Sequence, residues 1–457
     1  MDTPILDFVE NYAATNAVRM HMPGHKGKGE IEKADITEIA GADDLFHAGG
    51  IIGESEKNAS RIFGCDTYYS TEGSSLAIRA MLYLCRTASK SGKPWILAAR
   101  NVHKTFVSAC VLLDLDAEWI TSGNDSLITQ NITVSDVAKA LASAAEKHDD
   151  LPCCIYLTSP DYTGHILPVR EIAKICHDHG IPLVIDNAHG AYLKFLDPSL
   201  HPIDLGADMC CDSAHKTLPA LTGAAYLHVK SNILSATKED VKTAMSLFAS
   251  TSPSWLILQS LDCLNPILET KFKDDLKITT GLVFFARKAL ADGGFSLLGE
   301  EPLKITISTK EKGRTGEQFA QYLRENEVPV EVEFSDPDQI VLMVSPNNTK
   351  EEIETVTAAI LNIPQKDGSD VTSEKTSVSS INRPPRVTLP ERVMSMREAA
   401  MSPWENVFID EAIGRIAHLA ECSCPPAVPP VICGEKITES AIALLKYYGY
   451  DSCRVVR

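Results

Sequence analysis

Four short segments hold residue types that do chemistry when brought together. Val184-Ile185-Asp186-Asn187-Ala188-His189-Gly190 puts an acid at the end of an apolar, strand-like run. Open α/β sheets place ligands beyond the carboxyl ends of their strands, so Asp186 reads as a ligand-facing acid or as a turn or capping residue. Asp212-Ser213-Ala214-His215-Lys216-Thr217 follows the apolar run 207–211. Lysine is a poor core residue, and an amine held in a desolvated site becomes a nucleophile; on an open surface Lys216 would be an ordinary solvated lysine. Glu72-Gly73-Ser74-Ser75 precedes a helical run. A glycine and two hydroxyls there offer donors to a phosphate at the positive helix end, or a plain serine cap. Arg100-Asn101-Val102-His103-Lys104-Thr105 follows the strand-like run 94–99; its imidazole can stack on an aromatic cofactor or sit in a turn.

Taken together, the four segments match the needs of pyridoxal 5'-phosphate. Lys216 would bind the cofactor covalently. Asp186 would keep the pyridine nitrogen protonated, so the ring can accept electrons from a substrate Cα. The helix end at Gly73, Ser74 and Ser75 would take the phosphate, and His103 would lie on the ring.

These segments need a sheet to align them. Apolar strand candidates occur at 94–99, 153–158, 182–185, 207–211 and 224–229. Between them lie helical patterns. Residues 74–85 space Leu76, Ala77, Ala80, Met81 and Leu84 at helical intervals. Residues 135–148 begin at Ser135 as a cap, and 168–179 end at Gly180. Apolar strands alternating with amphipathic helices predict an α/β sheet, mostly parallel and covered on both faces.

The expected divisions are an amino-terminal segment (1–20), a cofactor-binding large domain (21–245), a smaller α+β domain (246–363), a linker (364–385) and a final segment (386–457). The smaller domain carries strand patterns at 303–308, 328–334 and 339–344, and helical ones at 315–325 and 350–361. The linker is rich in Ser, Thr, Lys, Asp and Pro.

Composition removes several function classes. The chain has 457 residues, 44% hydrophobic, and a net charge of -18. That charge disfavours nucleic acid and anionic membranes and suits a cationic substrate. No apolar run reaches the ~18 residues of a membrane span, and the amino terminus lacks a signal-peptide core, so a cytoplasmic location is expected. The 13 cysteines include neighbours Cys153–Cys154 and Cys210–Cys211 in apolar runs, which read as core thiols in a reducing compartment. Cys422, Cys424 and Cys433 lack the paired spacing of a zinc site, so no metal is expected. No G-x-G-x-x-G stands at a strand-to-helix junction, which argues against a dinucleotide enzyme.

Longer matches point to one family. Met20-His21-Met22-Pro23-Gly24-His25-Lys26-Gly27, Asp35-Ile36-Thr37-Glu38 and Asp43-Asp44-Leu45-Phe46-His47 resemble successive motifs of the ornithine/lysine/arginine decarboxylases. So do Arg100 to Thr105, Asp186 to Gly190, and Ser213-Ala214-His215-Lys216. Asp410-Glu411-Ala412-Ile413-Gly414-Arg415, Cys424-Pro425-Pro426-Ala427-Val428-Pro429 and Gly434-Glu435 resemble its tail.

The resemblance implies a fold-type I (aspartate aminotransferase-like) large domain with a mostly parallel seven-stranded sheet, plus smaller α+β carboxyl-terminal domains. It implies the short form, without an amino-terminal wing domain. It makes Lys216 the Schiff-base lysine and Asp186 the partner of the ring nitrogen, with His103 on one ring face and Ala188 on the other. Gly73, Ser74, Ser75, Ser213 and His215 would serve the phosphate, and His189 belongs to the same cofactor-binding set. The implied reaction is decarboxylation of arginine, lysine or ornithine, in a homodimer or higher homo-oligomer with its active site at the interface.

The chain departs from the pattern at Glu72, at Thr217-Leu218-Pro219-Ala220-Leu221-Thr222, and at Cys424 and Ala427, where a Tyr and a Gly are usual. Asp161, Glu72 and Glu435 are candidates to meet the distal charge of a basic substrate. Two other readings stand beside this one. The first is an aminotransferase or carbon–sulfur lyase, with Arg386 or Arg392 holding the substrate carboxylate. The second is a silent cofactor-binding homologue.

Overall fold

The apolar runs become strands β2 (Trp95–Ala99), β4 (Cys154–Thr158), β5 (Leu183–Asp186), β6 (Met209–Asp212) and β7 (Ala225–Val229) of the main sheet, which the more polar β1 (Asp66–Ser70) and β3 (Asp116–Ile120) complete. In the computed structural model their order is β1-β7-β6-β5-β4-β2-β3. The pairs β2/β4, β4/β5 and β5/β6 are parallel, and β6/β7 and β7/β1 are antiparallel. Both faces of the central strands are covered, which is why their sequences run continuously apolar rather than alternating. The described residues are 1–123, 126–230, 234–364, 385, 388–420 and 422–457. The expected linker at 364–385, apart from its two end residues, lies outside them, as does Arg386.

The chain forms two units. One comprises Met1–Ala98, Val137–Ser159 and Pro168–Asp275; the other comprises Ala99–Asp136, Pro160–Leu167 and Leu276–Arg457. In the first, Asp262 is fully buried and accepts the Ile5 and Leu6 amides at 2.9 and 3.0 Å. That anchors the start of the helix Pro4–Ala14, where free N–H groups need acceptors. Register sets the chemistry: Thr158 pairs with Asp186, and Asp186 with Cys211. Asp186 and Asp212 therefore end adjacent parallel strands.

In the second unit β8 (Ser296–Leu298), β9 (Lys304–Ser308), β10 (Phe334–Ser335) and β11 (Gln339–Met343) make an antiparallel sheet of order β10-β11-β9-β8. Helices Gly316–Arg324 and Lys350–Leu361 each enter through a capping box, Thr315 with Gln318 and Thr349 with Glu352. Phe295, Ile305, Ile307, Phe319 and Ile340 form the core beneath them. β12 (Trp404–Phe408) and β13 (Ser452–Val456) pair antiparallel over a smaller core that includes Ile437 and Val455.

Two local expectations differ. The helix Val134–Ala145 is capped by Thr133, not Ser135. The Thr133 hydroxyl accepts from Asp136 N at 3.2 Å and the Asp136 carboxylate accepts from Thr133 N at 2.9 Å, a reciprocal pair that Ser135 has no partner to match. The strand expected at 328–334 shrinks to Phe334–Ser335, consistent with Pro329, which lacks a donor for a ladder.

The β10–β11 turn is held by Asp336, whose carboxylate accepts the Asp338 and Gln339 amides at 2.8 and 2.9 Å. Burial raises its pKa to about 7 even against those bonds. A folded pKa above the unfolded one means this group's stabilising contribution is complete below about pH 4 and lost as pH rises through about 7. Asp336→Asn keeps the acceptor without the charge. Its stability relative to the parent should be ~2 kcal/mol more favourable at about pH 8 than at about pH 5. Urea unfolding at the two pH values checks this; equal differences at both would contradict it.

Candidate active site

In the first unit the acid ends one strand and the amine follows the neighbouring strand. The Asp186 side chain ends β5 and is only 3% exposed. It accepts from Tyr156 Oη at 3.2 Å, from Ala188 N at 3.2 Å and from the Cys211 thiol at 3.5 Å. Burial, then the Asp186 charge, pushes the Cys211 thiol far above its ordinary pKa, so it stays protonated and donates. A carboxylate has about four acceptor sites, so three donors leave room for one more. Lys216 stands in the single turn Ala214–Thr217 that follows β6. Its Nζ is 3.0 Å from His189 Nε2. His189 is buried on the turn after Asp186, and that turn closes tightly on Gly190: a Cβ there would lie 2.0 Å from Asn187 Oδ1.

The third element is the amino end of the helix Gly73–Ala88. Gly73 takes φ +67, gives its N–H to the Gly223 carbonyl at 2.8 Å, and has no atom within 4 Å of where a Cβ would stand. The preceding Glu72 side chain makes no capping bond; its carboxylate instead accepts from Ser250 N at 2.6 Å. Ser213 Oγ donates to Ser74 Oγ at 3.0 Å, bringing the end of β6 to the helix end. His215 is fixed by an Nδ1–H bond to the Ala224 carbonyl at 2.9 Å. Burial holds its pKa below the ordinary value, and the Lys216 charge adds to that. A helix end without a side-chain cap, paired hydroxyls, an acid with an open acceptor site and a nearby amine fit pyridoxal phosphate.

The second unit contains His103, the cap of the helix Lys104–Leu113. Its Nδ1 accepts from Thr105 N at 3.1 Å, so the neutral ring carries its proton on Nε2. The adjoining residues bind the tail. Lys104 N donates to the Ala427 carbonyl at 2.7 Å. Ala427 sits at φ +58, where the family's usual glycine would be unstrained. Arg100 is 2% exposed and donates to the Pro429 and Pro430 carbonyls at 2.9 and 3.1 Å, with Glu435 at 3.5 Å. Burial lowers the Arg100 pKa and raises that of Glu435 despite their pairing, so desolvation outweighs the ion pair for both.

The candidates for meeting a distal charge are differently placed. Glu435 is 1% exposed beside Arg100 and accepts from Ile432 N at 2.7 Å. Asp161 is 2% exposed and accepts the Thr163 and His165 amides of its own turn. Glu72 is exposed. Arg392 donates to the Ala117 carbonyl at 3.0 Å and pairs with Asp116 at 3.2 Å. Cys433 is buried while Cys424 is exposed. The group with metal-ligand spacing among the described residues is elsewhere: His201, Cys210 and Asp212.

Sequence reasoning missed Tyr156, which orients Asp186, and the set around Asp212. The signal for Asp212 was present: a charged residue closing the apolar run Met209-Cys210-Cys211 has to find buried partners. Which partners could not be read from spacing.

Comparison with known proteins agrees with this geometry. A family described as "Orn/Lys/Arg decarboxylase, major domain" matches residues 3–289. An arginine decarboxylase of Halalkalibacterium halodurans is 31% identical over 97% of this chain and 93% of its own length. One from Bacillus anthracis is 30% identical over 97% of this chain and 92% of its own. The solved lysine decarboxylase LdcF of Francisella novicida superposes with a TM-score of 0.81, covering 100% of this chain and 81% of its own, at 18% identity. That likeness carries the fold, the α/β fold-type I architecture.

Arg100→Met leaves Glu435 buried without its ion partner. A loss of about 3–5 kcal/mol is expected. Arg100→Met with Glu435→Leu should recover most of it, because the desolvation then disappears for both groups. Thermal or urea unfolding of the two variants reads this; a double variant no better than the single would refute it.

Proposed function

The chain belongs to the Orn/Lys/Arg decarboxylase family, and on that premise we propose that it decarboxylates arginine, releasing CO2 and agmatine. It is a pyridoxal-phosphate-dependent carboxy-lyase acting on a basic amino acid. The choice of arginine is supported by full-length relatives at 29–31% identity named arginine decarboxylases. The net charge of -18 also favours a cationic substrate.

When bound, the cofactor supplies an electron sink for the pair released as the Cα–carboxylate bond breaks. The proposed residue roles follow from the chemistry above. Asp186 holds a proton on the ring nitrogen. Lys216 would carry the cofactor covalently and yield to the substrate amine, with His189 Nε2 at 3.0 Å placed to accept a hydrogen bond from the released Nζ ammonium. Lys216 then returns a proton to Cα. Gly73, Ser74, Ser75, Ser213 and His215 would hold the phosphate, and Ala188 would lie against the ring. For His103 the stacking role rests on the family resemblance, as does assembly into a homodimer or larger homo-oligomer.

The observation that carries the assignment of Lys216 is its placement, one short turn beyond β6 and beside the Asp186 turn. The purified protein should absorb at roughly 420 nm and release CO2 with agmatine from arginine, faster than from lysine or ornithine. Lys216→Ala should lose both the band and turnover. Formation of a 2-oxo acid in place of CO2 would move the reading to an aminotransferase. Full activity of Lys216→Ala would overturn the assignment of that lysine.

A further inference from the structure

Behind the Asp186 and Lys216 segments lies a buried polar set to which the reaction as described gives no part. Asp212 closes β6 and is 0% exposed. One carboxylate oxygen lies 3.0 Å from His201 Nε2 and 3.1 Å from His228 Nε2. The other accepts from Asn187 Nδ2 at 2.6 Å. Both imidazoles are 0% exposed.

His228 Nδ1 lies 3.0 Å from the Thr67 hydroxyl and 3.7 Å from the Cys65 thiol. Burial alone would lower the His228 pKa, but the Asp212 charge outweighs this and raises it. Burial likewise works against the Asp212 carboxylate, yet the two imidazoles hold its pKa well below the usual range. His201 Nδ1 is buried without a hydrogen-bond partner. Three side chains converge on one carboxylate.

The position of the set in the chain matters more than its charge. Asn187 directly follows Asp186. Asp212 directly precedes the Ser213–Lys216 segment. Asn187 N also donates to the Cys211 carbonyl at 3.0 Å. Two hydrogen bonds, one through the backbone and one through Asp212, thus lock the turn that carries the acid to the turn that carries the amine.

We propose that Asp212, supported by His201 and His228, is a positioning residue that fixes Asp186 and Lys216 relative to each other for the bound cofactor. This rests on the reading of those two residues given under Proposed function. Asp212→Asn exchanges one acceptor oxygen for an amide, against three facing donors. His228→Gln keeps a donor toward Asp212 and removes the titratable imidazole.

The experiment compares the parent, Asp212→Asn, His228→Gln and His201→Asn, each loaded with pyridoxal phosphate at a temperature where circular dichroism shows it folded. Three quantities are read: cofactor affinity, the midpoint of the pH titration of the roughly 420 nm band, and kcat and KM for CO2 release. Asp212→Asn should bind cofactor about 10-fold more weakly, shift the titration midpoint, and lower kcat roughly 10- to 100-fold with KM little changed. His228→Gln, with its donor retained, should fall between Asp212→Asn and the parent. If Asp212→Asn does not fold, the two histidine variants are read by the same criteria. Folded variants with parental affinity, midpoint and kcat, differing only in melting temperature, would reduce the set to a structural role and overturn the proposal. A parent without the band would overturn the cofactor reading itself, and this proposal with it.

Discussion

A carboxylate buried at the end of a strand is the constraint around which the first unit is arranged. Removing a charge from water costs several kcal/mol unless donors replace the solvent. Asp186 and Asp212 both carry that cost, on adjacent strands, and each is met differently. Asp212 receives two imidazoles and an amide, all from fully buried side chains. Asp186 receives a phenol, a thiol and one backbone amide, weaker donors that hold it in place and leave it able to accept again. One acid closes the sheet and the other is kept available for a ligand.

The sheet makes this economical because its central strands are parallel and in register. Neighbouring parallel strands bring their carboxyl ends to one edge, so residues 158, 186 and 211 stand side by side. Loops leaving that edge face the same way as the helix end at Gly73, which the antiparallel β1/β7 pair delivers from the other side of the sheet. The hydroxyl bond between Ser74 and Ser213 joins the two approaches. Cofactor chemistry needs a cation-holding acid, an amine and an anion site at fixed separations, and strand register supplies fixed separations without dedicated scaffolding.

The second unit meets its own buried charge by another route. Arg100 is surrounded by tail carbonyls and Glu435, and Lys104 N is held by Ala427. The His103 segment and residues 427–435 are consequently one structural piece, although more than 300 positions separate them. This gives a physical reason for the departure at Ala427: its backbone keeps the left-handed conformation, and with it the carbonyl that Lys104 needs, even without a glycine.

The amino-acid sequence by itself determined the alternation of strands and helices, because continuous apolar runs and helical spacing are local patterns set by burial. It also determined the chemistry-bearing segments, since Asp186, Lys216, Gly73 to Ser75 and His103 each follow an element whose end is marked by composition. The motifs of the family sit on those same segments. Only the tertiary structure decided what depends on contacts between distant positions. It paired Asp212 with His201 and His228, gave Tyr156 to Asp186, turned Glu435 toward Arg100, and made Thr133 the cap in place of Ser135. The physical reason is that hydropathy and spacing record whether a residue is buried, whereas the partner of a buried polar group is set by strand order and register, which no single segment encodes.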